Sequence, residues 1–217
     1  MAVASPGRRR GRPPKADAGD TKGALLRAAL ELFAANGFEG TSVRDIARAV
    51  GLSESVLYAH FDSKQAIFDA VFAQVGPMSA VSVLETIDPA LAESDPPGFI
   101  RALVAAAMEL WSAPPARQLI SLMAHDDLLH NPLLTAGILA SLGSLAGLFE
   151  RWIGAGLLPG DLGSPQDLAY ALMSPIALAR VLWLHNGATP EEVEAARSRA
   201  LRHAEVFVNA VVVAPPA

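Results

Sequence analysis

The chain has 217 residues, of which 52% are hydrophobic, so it can bury a core of one or two domains. It contains no cysteine, which excludes disulfides, thiolate catalysis and cysteine-ligated zinc. The net charge of −5 argues against a polyanionic partner, yet the charge is uneven, with +2 over residues 1–75 and −7 over residues 76–217.

Residues 1–20 are rich in glycine, proline, alanine and charge, a composition that cannot bury apolar area, so we expect a disordered basic arm. Five cations and no acidic residue lie in its first 15 positions: Arg8, Arg9, Arg10, Arg12 and Lys15. Such an arm is attracted to phosphate groups, whatever the charge of the remaining chain.

A first helix is predicted over residues 22–36, where apolar side chains recur at helical spacing. Gly37 ends it, because glycine readily adopts the left-handed conformation that follows many helices. Thr41 or Ser42 can cap a second helix of about two turns, and Gly51 then supplies a tight turn.

Ser53 caps a third short helix, which ends near Phe61. Two short helices around a glycine turn have the geometry of a helix-turn-helix, in which the second helix enters the major groove of DNA. Small polar residues at the start of that helix, Ser53 to Ser55, allow its backbone to approach a duplex.

The rest of the chain is predicted to be helical as well, with no convincing strand alternation. A longer helix begins at Ser63, is interrupted at Gly76-Pro77 and resumes toward Ile87, and residues 88–97 are predicted as a loop. Further helices are predicted over residues 98–111, 115–127, 133–155, 165–184 and 190–213, each with a proline at or just before its start.

Three stretches of the predicted helix-turn-helix, from Gly37 to Ala47, from Gly51 to Ser53 and from Val56 to Lys64, closely resemble the TetR family of transcriptional regulators. The resemblance is specific over about residues 23–75 and architectural elsewhere. It implies an all-α fold of about nine helices. The expected division is an arm over 1–20, a helix-turn-helix domain over 21–66 and a helical ligand-binding and dimerisation domain over 67–217.

By this resemblance, Thr41, Ser42 and Arg44 would contact the DNA backbone or groove edge, and Ser53, Glu54 and Ser55 would meet bases. Tyr58, His60 and Lys64 would hold phosphates, whereas Phe61 is expected in the core. The sequence departs from the family at Glu54-Ser55, where a basic or small residue followed by glycine is common. Glutamate repels phosphate but can accept a hydrogen bond from the amino group of cytosine.

The arm carries a second resemblance, because Arg10-Gly11-Arg12-Pro13 is similar to the core of an AT-hook, which lies in the minor groove of A·T-rich DNA. The enhanced negative potential of that groove suits extended arginines. The alternative is a tail that attracts phosphate or improves solubility without reading sequence.

In the TetR family the C-terminal helices form a ligand pocket, and the last two helices pack against those of a second chain. The candidate pocket residues here are Met108, Trp111, Met123, His125, His130, Phe149 and Trp152. The candidate dimer residues are Leu168, Leu172, Ile176, Ala179, Ala200 and Phe207. For both sets the alternative is ordinary core packing within one chain.

No nucleophile with a paired base, phosphate-binding glycine loop or cofactor motif is found, so we expect no enzymatic activity and no cofactor. His125, Asp126, Asp127 and His130 resemble a metal cluster, but their place at a helix end favours no bound metal. The chain has no apolar run of about 18 residues and no signal core, which predicts a cytoplasmic protein.

The predicted function is that of a homodimeric DNA-binding repressor that a small lipophilic molecule releases from a pseudo-palindromic operator. Two alternatives stay open. One is a regulator of the same fold that answers to no ligand. The other is a helical ligand-binding or enzymatic protein whose N-terminal domain is vestigial.

Overall fold

The computed structural model describes residues 20–75, 83–125 and 132–211, and every regular element within these ranges is helical. The helices are α1 (Thr21–Asn36), α2 (Val43–Ala49), α3 (Glu54–Tyr58), α4 (Lys64–Val75), α5 (Pro89–Ser94), α6 (Pro96–Ser112), α7 (Pro114–His125), α8 (Pro132–Gly154), α9 (Pro165–Trp183) and α10 (Pro190–Val211). Residues 83–86 add a short helical segment. The all-α prediction is confirmed. The basic arm, with Arg10 and Arg12, and the Gly76-Pro77 interruption lie outside the described residues.

The predicted loop over residues 88–97 is wrong, because this segment contains α5 and the start of α6. The Asp88 carboxylate accepts a hydrogen bond from the Ala90 amide at 2.9 Å, and Asp95 caps α6 in the same way through the Gly98 amide at 2.9 Å. In both cases the helix begins with a proline, which needs no hydrogen-bond partner in the first turn. With six residues, α5 is too short to show a periodicity.

Helices α1 to α4 pack around an N-terminal core rich in phenylalanine. The rings of Phe33, Phe38 and Phe68 lie 5.3 to 5.8 Å apart between centroids, and Ile46 and Leu57 are fully buried beside them. This packing holds helices α1 to α4 in a fixed relative orientation.

The N-terminal core is completed by residues from α7. The contributing side chains of this helix are Leu119, Ile120, Leu122 and Met123. On its other side, α7 is tied to the connection between α9 and α10, where Arg117 donates from Nε to the carbonyl of His185 at 2.9 Å and from Nη2 to that of Ala188 at 2.7 Å. Helix α7 is therefore shared between the two halves of the chain.

A second core lies among α6, α8, α9 and α10. Trp152 and Phe149 are almost fully buried in it, and the indole nitrogen of Trp152 donates to the carbonyl of Ala92 at 2.6 Å, which fixes α5 on α8. No helix among the described residues is both long enough and apolar enough to span a membrane.

The packing of α9 and α10 corrects the prediction of the dimer residues. All six belong to the core of a single chain and are at most 7% exposed: Leu168, Leu172, Ile176, Ala179, Ala200 and Phe207. The opposite flank of the two helices is exposed and apolar, and we call it the outer face. It consists of Tyr170, Leu178, Val181, Leu182, Leu201 and Val206.

Candidate nucleic-acid interface and cavity

The turn between α2 and α3 is a Schellman motif centred on Gly51. Its φ of 70° lies in the left-handed region, its amide donates to the carbonyl of Arg48 at 3.0 Å, and the Leu52 amide donates to that of Ala47 at 2.9 Å. A Cβ at this position would meet nothing within 4 Å, so backbone conformation alone favours glycine here. Leu52 packs on the N-terminal core and thereby fixes the direction in which α3 leaves the turn.

Ser42 begins α2 as expected. Its hydroxyl accepts a hydrogen bond from the Asp45 amide at 3.1 Å and donates to the Asp45 carboxylate. This side-chain hydrogen bond is the main reason that the pKa of Asp45 lies below its usual value. Ser42 is exposed, but its hydroxyl already serves the helix start.

Helix α3 presents a polar face to solvent. Leu57 is fully buried and anchors the helix, whereas Ser53, Ser55 and His60 are exposed and Tyr58 is 50% exposed. The Ser53 side chain makes no capping hydrogen bond, which leaves its hydroxyl available to a ligand. Phe61 is buried, in agreement with the expectation that it belongs to the core.

An ion pair links the first turn of α2 to that of α3. Arg44 donates from Nε to Oε1 of Glu54 at 2.8 Å, and both side chains are substantially exposed. The hydrogen bond and the negative charge of Glu54 raise the pKa of Arg44 above its usual value. An exposed pair of this kind contributes little stability, but it orients the two side chains on the surface that the helix-turn-helix presents.

Thr41 does not reach this surface, which corrects the expectation that it touches DNA. It is 2% exposed, and its hydroxyl lies 3.1 Å from the carbonyl of Leu32 and 2.9 Å from that of Gly37. The hydroxyl donates to backbone carbonyls within the N-terminal domain. Thr41 therefore joins the end of α1 to the start of α2.

We expect Thr41→Val to lower the free energy of unfolding by about 1–2 kcal/mol, because the two carbonyls lose a donor while side-chain volume is kept. Chemical denaturation measures this loss. Operator affinity of the folded variant should stay unchanged. Ser42→Ala, which removes the hydroxyl of the exposed neighbouring residue, serves as the comparison. A large loss of affinity in folded Thr41→Val would contradict the structural role.

Lys64 is engaged by its own chain rather than free for phosphate. Its ammonium donates to the carbonyl of Phe38 at 2.7 Å, lies 4.2 Å from the centroid of the Phe38 ring and is 3.9 Å from a Glu39 carboxylate oxygen. Its side chain is 24% exposed. To reach DNA, Lys64 would have to give up these contacts.

One cation that the sequence reasoning passed over is Arg48. It lies one helical turn after Arg44 on α2, and its side chain is 73% exposed, with Asp45 at 3.5 Å. The i,i+4 spacing of the two arginines would have placed both on one helix face.

A cavity of about 280 Å³ lies among α6, α7, α8 and α9. Trp111 and Met123 of the predicted pocket residues line it. Met108, Phe149 and Trp152 do not line it and are buried within the C-terminal core. The side chain of His125 and the residues Asp126, Asp127 and His130 lie outside the described part of the chain.

The N-terminal part of the chain is similar in sequence to known proteins. Residues 25–71 match the family described as bacterial regulatory proteins, tetR family. The chain is similar to the HTH-type transcriptional repressor KstR2 of Rhodococcus jostii (strain RHA1), with 46% identity over 65 residues that cover 27% of this chain and 31% of that protein. It thus spans about a third or less of the length of the curated relatives it matches.

Solved structures resemble nearly the whole chain. SmeT, the repressor of the Stenotrophomonas maltophilia multidrug efflux pump SmeDEF, has a TM-score of 0.67 at 20% identity and covers 89% of this chain and 91% of its own. FadR from Bacillus subtilis, in complex with stearoyl-CoA, has a TM-score of 0.64 at 18% identity and covers 88% and 100%. At such identities the likeness shows a common fold.

Proposed function

We propose that the chain, whose residues 25–71 match the tetR family of bacterial regulatory proteins, is a regulator of that family and controls transcription by binding an operator in double-stranded DNA. We propose further that it acts as a homodimeric repressor that a small lipophilic ligand releases. KstR2 and SmeT are named as repressors, and these names support that direction of regulation.

The observation that carries the proposal is the exposed polar face of the helix-turn-helix. Ser53, Ser55 and Tyr58 are exposed at α3. The exposed Arg44 of α2 is paired with Glu54 of α3, and Arg48 is exposed one turn further along α2. Gly51, with its positive φ, forms the turn between the two helices. Hydroxyl and guanidinium donors on a short helix fit the contacts that position a protein on phosphates and base edges.

The direct test is an electrophoretic mobility shift with DNA from upstream of the protein's own gene, followed by selection from random DNA. A selected pseudo-palindrome, with half-sites about one helical turn or a multiple apart, would support the proposal. Binding that does not depend on sequence, or no binding, would favour a vestigial DNA-binding domain.

Glu54 is proposed as a base-reading residue. Arg44 occupies Oε1, and a carboxylate has a second oxygen that can accept from the amino group of cytosine. We expect Glu54→Ala to lose a cytosine preference worth about 1 kcal/mol at one operator position, and Glu54→Gln to shift that position toward adenine. Selection from random DNA with each variant measures this. Unchanged affinity and base preference in both variants would exclude the role.

The outer face is proposed as the dimer interface. Its six large apolar side chains are exposed on two packed helices, and an apolar patch of this kind is typical of a protein contact. A single short helix makes few base contacts, so specific recognition requires two of them. A dimer would place two copies of α3 on one duplex.

Release by a ligand is proposed to pass through α7. This helix contributes Leu119, Ile120 and Met123 both to the lining of the cavity and to the core against α1 and α4. A ligand can move the equilibrium only by its differential affinity for the two conformers. A thermal-shift screen of hydrophobic compounds tests the proposal, since a ligand at 100 times its Kd adds about 2.7 kcal/mol. A hit that leaves operator binding unchanged would contradict it.

A further inference from the structure

One wall of the cavity carries a positive charge that forms no ion pair with any of the described residues. Arg180, near the end of α9, lines the cavity, and its guanidinium carbon lies 4.7 Å from the centroid of the Trp111 ring. Burial lowers the pKa of Arg180 to about 10, which leaves it protonated at neutral pH. Among the described lining residues it is the sole ionisable group.

The same two side chains carry the unpaired polar atoms of the described structure. Among the described residues, Nε of Arg180 and Nε1 of Trp111 are the buried side-chain nitrogens or oxygens without a hydrogen-bond partner. Buried polar groups in proteins are almost always paired, so these two neighbouring unpaired nitrogens indicate a partner from outside the protein. Both atoms can only donate, and the partner must therefore accept.

The remaining wall is apolar. It includes Leu103, Leu119, Leu142, Leu145 and Met173. The Ser141 hydroxyl, also in the lining, donates to the carbonyl of Gly137 at 2.9 Å. A ligand that fills this space must be hydrocarbon over most of its length, with a polar group at the Arg180 end. The volume of about 280 Å³ lies just below the roughly 300–1,000 Å³ that ligand pockets span, and it suits a hydrocarbon chain of medium length.

We propose that the cavity binds a lipophilic monocarboxylate, with the carboxylate paired to the Arg180 guanidinium beside the Trp111 indole and the hydrocarbon chain along the apolar wall. This assignment rests on the proposed function and specifies the class of its ligand. A carboxylate accepts through both oxygens and matches a donor-only pair, whereas a neutral ligand would leave the cation buried and unpaired.

An unpaired buried cation destabilises a fold, and such a group is retained where a function depends on it. We therefore expect the unfolding midpoint of ligand-free Arg180→Gln to equal or exceed that of the wild type. This measurement also shows whether the variant folds.

The test is calorimetric titration of the full chain, without DNA, with sodium decanoate and with 1-decanol. We expect decanoate to bind at least tenfold more tightly than decanol, since a hydrogen bond to a charged group supplies about that factor. Arg180→Gln should abolish the difference, Trp111→Phe should reduce it, and Arg180→Lys should retain part of it. Arg151→Gln, which removes an exposed arginine of α8, is the charge-matched control and should bind decanoate as the wild type does.

Equal affinities for decanoate and decanol would overturn the assignment, as would absent binding of both or a folded Arg180→Gln variant that binds decanoate normally. Because the titration contains no DNA, it separates this assignment from the proposed function. A protein that binds decanoate through Arg180 and yet stays on its operator would support the assignment and contradict release by a ligand.

Discussion

Deletion of residues 1–15 is expected to weaken operator binding by about a hundredfold and to make it much less sensitive to salt. Residues 20–75, which contain the helix-turn-helix, hold five lysines and arginines against seven acidic residues, whereas residues 1–19 carry five cations against one acid. The excess positive charge of the N-terminal region therefore lies in the arm. Each phosphate contact contributes about 0.9 to the slope of log K against log salt, so five lost contacts would reduce it by roughly 4.5.

Titration of operator DNA at several salt concentrations measures both effects. A double variant, Arg10→Lys with Arg12→Lys, keeps the charge while removing the guanidinium groups that suit a narrow minor groove. If the arm reads A·T-rich flanks, this variant should lose the preference for them. If the arm attracts phosphate only, the variant should behave as the wild type. Unchanged affinity and salt slope after deletion would remove the arm from DNA binding.

The second large effect is expected from charge on the outer face. In Leu178→Glu combined with Leu182→Glu, two exposed apolar side chains of α9 become carboxylates, whose burial in a dimer interface would cost several kcal/mol. We expect a monomer by sedimentation velocity and a loss of operator affinity of a hundredfold or more, because one copy of α3 then binds alone.

Leu139→Glu on α8 is the matched control, since this leucine is at least as exposed as Leu178 and Leu182 and lies outside the outer face. It should leave the dimer and its DNA affinity unchanged. A double variant of α9 that stays dimeric would place the interface elsewhere. A monomer that binds the operator with full affinity would show that dimerisation is not needed for recognition.

The helices of the C-terminal part could be predicted closely because their starts carry local signals. Pro165 and Pro190 begin α9 and α10 in the structure as in the prediction. Proline has no amide hydrogen, and the first turn of a helix does not use one for an intrahelical hydrogen bond. The start of α5 carried an equally local signal in Asp88-Pro89, a helix cap followed by a first-turn proline. It was missed because apolar periodicity was required as well, and six residues are too few to show it.

Periodicity could not decide which side of α9 faces inward. This helix has apolar residues on both flanks, and the flank with Leu172 and Ile176 fills the core of the chain, while that with Leu178 and Leu182 is exposed. Both flanks satisfy the same 3.6-residue spacing. The distinction depends on neighbouring helices, which the sequence of one helix does not specify.

The site residues also differ in whether the sequence alone could predict them. The polar face of α3 could be predicted because it depends on a short, contiguous segment. Arg180 could not, because its significance arises from Trp111, which lies 69 positions earlier in the chain and meets it only in the fold. Thr41 shows the opposite error, in which a family role was expected for a hydroxyl that the local backbone already uses.

The shared position of α7 bears on how this protein can be recombined with its relatives. A fragment that ends after α4 would expose Leu30, Phe72 and their neighbours, which are covered in the full chain by a core that includes Leu122 of α7. Such a fragment should be less stable than the same helices in the intact protein. A chimera that exchanges the DNA-reading part with another regulator must therefore carry a compatible α7, and the natural unit of exchange includes residues more than 40 positions beyond the reading helix.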